Sequence, residues 1–419
     1  LLIKYQRSNE EIKMKNSFLT RLMSHLKSGT HMVSRQVECC RKLFAANVYV
    51  GKFIERVPYG SIVFFPCRQT TFFCGIAGIV ALKNKKSAAQ ELNLDSLEKL
   101  IGRIETNGYQ SGAPANHLDH DYLGGKEKME ALWRQVHAFN TDAPFFLIFS
   151  DTKAQRQLQQ MAKRLAALTA SESNLLAEQM GHLSAERVDI MARAIEKLKD
   201  IHWRLENDIL ANIEKVQNLL DRGPKNPSPA SVSLFKKLNA VLNSIDRLEV
   251  RGRDSAGISI MFIYKETDFQ KGQETFEQAG HLDQFKERCD PDPLVNGGIS
   301  YRPSTGADGK SQVAVAVTYK IALEIGSLGD NIHHLRQQIA NDAVFQILAT
   351  IPADFDTVSA HTRWASVGAI TEANCHPVDN HTTGHKSARC GIIHTCLNGD
   401  IDNFQRLKAE LEGPDNQIH

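Results

Sequence analysis

Between Ser184 and Leu220 the chain keeps a seven-residue apolar repeat over 37 residues. Val188, Ile195, Ile209 and Val216 recur at one heptad position, and Met191, Leu198, Leu205 and Leu219 recur three residues later. A helix of that length is about 55 Å long, and a seam sustained so far requires partner helices to cover it. Leu158, Met161, Leu165 and Leu168 upstream supply one partner; Leu234, Leu238, Val241, Ile245 and Leu248 downstream supply another. The stretch GPKNPSP at 223–229 breaks the second helix from the third. These spacings predict a three-helix coiled arm with a structural rather than a catalytic role. His202 and Asn212 fill the remaining seam slots, and His202 is expected to be a register-setting polar core residue rather than a ligand.

Outside this region the pattern changes to strands. Residues 74–82 (CGIAGIVAL), 255–264 (SAGISIMFIY), 312–319 (QVAVAVTY), 356–361 and 391–397 (GIIHTCL) are short and apolar, most of them rich in β-branched residues, as buried strands are. Helical spacing returns at 94–104 and about 331–350, while 107–120 and 290–309 read as Gly/Pro loops. The run PFFLIF at 144–149 is a brief apolar interruption. Strands dominate where helices recede, so the body is predicted to be α+β with a helical insertion.

Charge divides the chain. Residues 1–73 carry twelve Lys/Arg and four Asp/Glu, net +8, so the total of +2 leaves 74–419 at −6. A near-neutral total argues for no nucleic-acid partner, and no apolar run reaches the roughly 18 to 20 residues of a membrane span. Eight cysteines, at 39, 40, 67, 74, 289, 375, 390 and 396, lack paired spacing, which predicts a reducing, cytoplasmic setting rather than a disulfide scaffold. The leader's Arg and Ser content fits a transit segment, but no amphipathic Arg helix or cleavage site accompanies it. It reads better as an extension or arm, in which 48–65 can make a strand pair.

Three segments carry chemistry. Cys74 opens a strand, residues 251–257 (RGRDSAG) open another, and 361–368 (HTRWASVG) set Arg363 and Trp364 at a strand end. Together with NCHPV at 374–378 and LNGDIDNF at 397–404, in this order, they resemble the class II glutamine amidotransferases, and RG-x-DSAG favours the glucosamine-6-phosphate synthase branch. The resemblance covers about a third of the chain. It implies a four-layer αββα N-terminal-nucleophile hydrolase sandwich formed by 74–105 and 246–419, with 106–245 as the inserted arm and 1–73 as a removable or spurious leader.

By the same resemblance, the Cys74 thiol attacks the carboxamide of L-glutamine and its own α-amine is the general base. Asn398 and Gly399 hold the oxyanion, Arg363 clamps the substrate carboxylate, and Trp364 and Ser366 shape the pocket. Arg251, Asp254 and His361 support these groups, with Arg251 and Asp254 orienting the nucleophile's strand. No cofactor and no metal are implied. Ammonia would pass to a sugar-isomerase half of the same polypeptide, converting fructose 6-phosphate to glucosamine 6-phosphate, in a homo-oligomer.

Departures from the pattern bear on that expectation. Phe73 acylates the amine that should act as base, Val367 and Leu397 stand where the family has histidine, and the chain stops at His419, before the acidic motif that binds the glutamine amine. A fragment of a longer enzyme is therefore expected, active only when its chain starts at Cys74. Two other readings compete. One is a catalytically degenerate amidotransferase-like scaffold acting through its helical arm. The other is a zinc site among Cys375, His376, His381, His385, Cys390, His394 and Cys396, which lacks any strong ligand spacing.

Overall fold

The computed structural model describes residues 61–62, 74–81, 92–109, 121–289, 295–306, 308–322, 327–365, 368–379, 392–399, 401 and 403–411. Its centre is a six-stranded antiparallel sheet in the order β1-β2-β6-β3-β5-β4. The strands are β1 (Ser61–Ile62), β2 (Gly75–Ala81), β3 (Ser255–Lys265), β4 (Ile299–Thr305), β5 (Ser311–Ile321) and β6 (Ala353–Arg363). A separate two-stranded ribbon pairs β7 (Val378–Asp379) with β8 (His394–Thr395). Of the strand pair expected at 48–65, only Ser61 and Ile62 fall among the described residues, and they pair with Val80 and Ile79 of β2.

Side chains alternate across a strand, and here the alternation separates two environments. Ile258, Ile260, Phe262 and Tyr264 of β3 point to the helical face, where the Phe262 ring lies 6.3 Å from Phe345 and Tyr264 5.7 Å from Phe269. Gly257 and Ser259 point to the other face, toward His376 and His394 of the ribbon segment. The register of β3 with β6 puts His361 beside Gly257 and Ser359 beside Ser259, so His361 and Arg363 share the ribbon face.

Helices α1 (Leu94–Glu105), α2 (Gly125–Ala138), α3 (Asp142–Ser150), α4 (Thr152–Gln179), α5 (Ala185–Trp203), α6 (Ala211–Leu219) and α7 (Pro229–Leu248) follow β2. The heptad stretch is helical throughout, with a π-helical segment at Arg204–Leu210 between α5 and α6. Leu198, Leu205, Ile209 and Val216 are buried against neighbouring helices. His202 departs from expectation: Ile201 takes the buried position, and His202 lies at the rim, 3.1 Å from Glu206 on its own helix. Asn212 does cross the seam. Its Oδ1 accepts from the Asn239 and Asn243 amides of α7 at 2.9 Å each.

The helices at 106–245 do not form a unit apart from the sheet. Helix α7 lies directly on β2 and β6, and α6 packs on α10 (Asp330–Asn341), which itself lies on β3 and β5. The apolar face of α7, from Val232 to Ile245, is what covers the sheet, so the boundary at 245 cuts through one continuous core.

Three local expectations also changed. The run at 144–149 lies inside α3, where Pro144 is tolerated in the first turn; a short apolar run does not distinguish helix from strand. The loop expected at 290–309 contains β4, whose Pro303 costs no ladder bond because the strand is a sheet edge. The helix expected near 331–350 is two helices, α10 and α11 (Ala343–Leu348), broken at Asp342. That carboxylate is drawn out of helical geometry by Arg288, which donates to it at 2.8 and 2.7 Å, and by the Tyr319 hydroxyl at 2.6 Å. Helices α8 (Glu266–Gln278) and α9 (Leu282–Arg288) flank this network, and α12 (Phe404–Leu411) closes the described chain. Among the described residues no helix is long and apolar enough to cross a membrane.

Candidate active site

Glycines let three chain segments converge at one end of the sheet. A Cβ on Gly75 would meet the Leu248 Cβ of α7 at 2.5 Å and Thr362 Oγ1 at 2.8 Å, so only glycine brings β2 this close to α7. The Gly75 N–H donates to Thr362 Oγ1 at 3.1 Å. A Cβ on Gly252 would meet the Thr362 carbonyl oxygen at 2.8 Å, and one on Gly257 would overlap the His376 carbonyl oxygen. Gly252 thus seats the 251–254 turn on the end of β6. Gly257 seats the 374–378 segment on β3.

The end of β6 is held from two sides. The Asp254 N–H donates to the Arg363 carbonyl at 3.1 Å, and Asp254 Oδ2 accepts from the Ala365 N–H at 2.6 Å. From the other side the Cys74 thiol lies 3.9 Å from the Trp364 carbonyl oxygen, a distance suited to a weak S–H donor. Asn331 of α10 fixes the turn itself by donating to the Arg253 carbonyl at 2.9 Å. Asp254 therefore orients the Arg363–Ala365 backbone, where the sequence reading assigned it to the nucleophile's own strand. For Arg251 only the backbone is described.

Arg363 points along the 368–374 loop. Its Nη1 donates to the Ala369 carbonyl at 3.0 Å, and the Asn374 amide donates to the same oxygen at 3.1 Å. Trp364 is 39% exposed at this edge. Ser366 and Val367 lie outside the described residues.

The third segment comes from the ribbon. His361 is buried, and its Nε2 donates to the Leu397 carbonyl at 3.0 Å; the Leu397 N–H donates to His376 Nδ1 at 3.1 Å. Asn398 follows, with an Oδ1 that is buried and has no hydrogen-bond partner among the described residues. Gly399 adopts φ +137° with open space around its α-carbon, a conformation that favours glycine. Burial holds the His361 imidazole down to about 3, with the neighbouring His376 adding to the effect. Burial, then Arg363 and Lys320, also lower His376.

Behind the site, between sheet and ribbon, lies a polar layer. Ser259 Oγ meets His394 Nδ1, His394 Nε2 is 4.0 Å from Asp379, and the buried Lys320 of β5 lies on the same face. Burial lowers Lys320 and pushes the Cys396 thiol up to about 12, so Cys396 stays a neutral thiol. Of the residues weighed for zinc, His381, His385 and Cys390 lie outside the described residues. Among the described residues no three His, Cys, Asp or Glu side chains are grouped to hold a metal ion.

No protein-family model matches the chain. Parts of it resemble curated proteins named glutamine–fructose-6-phosphate aminotransferase (isomerizing). The protein of Caulobacter vibrioides is 39% identical over 95 residues, 23% of this chain and 14% of that protein. That of Gluconobacter oxydans is 42% identical over 71 residues, 17% and 10% of the two chains. The Helicobacter pylori protein is 30% identical over 104 residues, 25% and 14%. The chain is similar, in part, to glutamine–fructose-6-phosphate aminotransferases. The matched stretches span no more than 14% of the length of these relatives.

Of the residues singled out from sequence, Cys74, Asp254, Arg363 and Trp364 are joined by direct contacts at one sheet end, and His361 links that end to Leu397 and so to Asn398. Sequence reasoning missed Thr362, which receives the Gly75 N–H, and the role of His376 beyond its place in NCHPV. His361, singled out from sequence, lies on the same strand face as Arg363. The Leu397–His376 bond joins a backbone N–H to a ring 21 residues away, which no spacing rule exposes.

Proposed function

We propose that the chain is a glutamine-hydrolysing amidotransferase domain that supplies ammonia to a sugar-phosphate acceptor. The observation that carries this reading is the Cys74 thiol lying against the Trp364 carbonyl, next to Arg363, with the Leu397–Gly399 segment tied to the same strand through His361. The partial similarity to glutamine–fructose-6-phosphate aminotransferases supports it independently. In this reading the helices, the six-stranded sheet and the ribbon form layers of an N-terminal-nucleophile sandwich.

The chemistry follows from the groups. A free Cys74 α-amine takes the thiol proton as general base. Sulfur adds to the carboxamide carbon of glutamine, and the oxyanion is met by the Asn398 side-chain amide and the Gly399 N–H. Collapse breaks the C–N bond, the amine returns its proton to the leaving ammonia, and a thioester remains. Water then adds to the thioester carbon, releasing glutamate and the thiol. Arg363 offers a planar fork to the substrate carboxylate, which a lysine would not reproduce. Trp364 covers the bound substrate.

This chemistry requires Cys74 to carry a free amine, so the Phe73–Cys74 bond must be opened. Ammonia release from L-glutamine, measured on protein whose chain starts at Cys74, tests the reading. We expect turnover that Asn398→Ala lowers about 10²- to 10³-fold. Equal turnover by a chain with Phe73–Cys74 intact would remove the α-amine from the mechanism, and no turnover by either form would favour a degenerate scaffold.

A further inference from the structure

The two imidazoles around Leu397 do something that neither their burial nor the amidotransferase reading requires. A carbonyl oxygen only accepts, so the His361 Nε2 that meets Leu397 O must carry a proton. A backbone N–H only donates, so the His376 Nδ1 that meets Leu397 N must be bare. The rings lie 4.8 Å apart and between them satisfy both backbone groups of one residue. That residue sits just beyond the β7–β8 pairing and immediately before Asn398. His361 Nδ1 is buried and has no hydrogen-bond partner among the described residues, and among them the ring's hydrogen bond is the one to Leu397.

We infer that His361 and His376 form a two-sided clamp on the Leu397 peptide and are the positioning residues that set Asn398 and Gly399 against the β2–β6 sheet end. The clamp does for one residue what a strand ladder does for several: it fixes the peptide in two directions where the ribbon has ended. Because it reads only backbone atoms, it accommodates a leucine at 397, a residue 37% exposed. Its anchoring differs at the two ends. His361 belongs to the central strand β6, and the segment carrying His376 is pinned by Gly257 of the adjacent β3. Asn398 is thereby referenced to the strand that carries Arg363. The consequence for turnover rests on the amidotransferase reading; the clamp itself does not.

The test uses the different reach of Asn and Gln. Asn Oδ1 is bonded to Cγ, as His Nδ1 is, whereas the Gln amide nitrogen stands two bonds beyond Cγ, as His Nε2 does. Hydrogen exchange of the full chain, followed on the 392–399 fragment, should show the Leu397 amide protected, and His376→Ala should speed its exchange about tenfold or more. His376→Asn should restore protection and His376→Gln should not; at 361 the order reverses, His361→Gln holding and His361→Asn failing. In protein starting at Cys74, the failing variants should lose about tenfold or more in kcat through misplacement of Asn398, with KM unchanged because Arg363 is untouched. Thermal midpoints identify any variant that has not folded. Equal behaviour of Asn and Gln at both positions overturns the clamp. A rise in KM matching the fall in kcat overturns the positioning role. If the wild-type protein hydrolyses no glutamine, the functional reading fails alone, and the exchange measurements still decide the clamp.

Discussion

In the helical layer, Leu198, Leu205, Leu238 and Phe235 are each fully buried among apolar neighbours, and stability there is a sum over many similar contacts. At the sheet end that carries Cys74, the positions of Arg363, Trp364 and Asn398 depend instead on a few single contacts: Asp254 on Ala365, Thr362 on Gly75, two histidines on Leu397, and three glycines that permit close approach. The first arrangement is tolerant of sequence as long as volume is kept. The second is less tolerant, since a lost partner leaves a buried group unpaired. The comparison teaches where a substitution should cost stability and where it should cost geometry.

Phe235→Ala should have the largest effect on stability. The ring is fully buried and packs edge-on against Phe345 with centroids 5.7 Å apart, so its removal should cost about 3–5 kcal/mol in chemical denaturation. In the fraction that remains folded, exchange at 392–399 should be unchanged. A site that loosened in step with the bundle would erase the distinction.

Gly257→Ala should cost less and damage more. The added methyl overlaps the His376 carbonyl oxygen, and such overpacking typically costs about 1–3 kcal/mol. The strain is relieved by moving the 374–378 segment, so glutamine turnover should be abolished while the bundle keeps its exchange protection. Full turnover in this variant would break the claim that the ribbon segment is seated by Gly257.

Acid should act on the two regions unequally. His361, held to about 3, and His394, lowered by burial and by Lys320, stay neutral in the folded protein, whereas in the unfolded chain they take up protons near pH 6.5. The unfolded state therefore binds more protons below that pH. Stability should fall from about pH 6.5 toward 4, by about 1.4 kcal/mol per pH unit for each histidine that titrates. Protection of the 392–399 amides, relative to their intrinsic exchange rates at each pH, should fall before that of 191–198, and a simultaneous fall would contradict the assignment.

How much of this was legible in the sequence depended on the kind of contact. The Val- and Ile-rich strands at 255–264 and 312–319 appear within a few residues of their expected bounds, because burial on both faces leaves a continuous apolar run. The heptad repeat correctly required helices, but it did not indicate that α7 would lie on the sheet, since an apolar stripe does not name what covers it. β4 was hidden by Pro303, which is harmless only at an edge, and edge position is a tertiary fact. The same division runs through the site. Cys74, Arg363, Trp364 and Asn398 stood out through the ordered blocks of a resemblance, whereas the positioning done by His376 and Thr362 runs through backbone and short polar contacts that leave no pattern in the chain.

The most direct measurement is mass spectrometry of protein starting at Cys74 after exposure to a diazoketone analogue of glutamine. The account predicts one stoichiometric adduct, mapped to Cys74, that excess L-glutamine suppresses and that Arg363→Ala greatly slows. Labelling of Cys289 or Cys396 in preference to Cys74, or an adduct on Cys74 indifferent to both glutamine and Arg363, would contradict it.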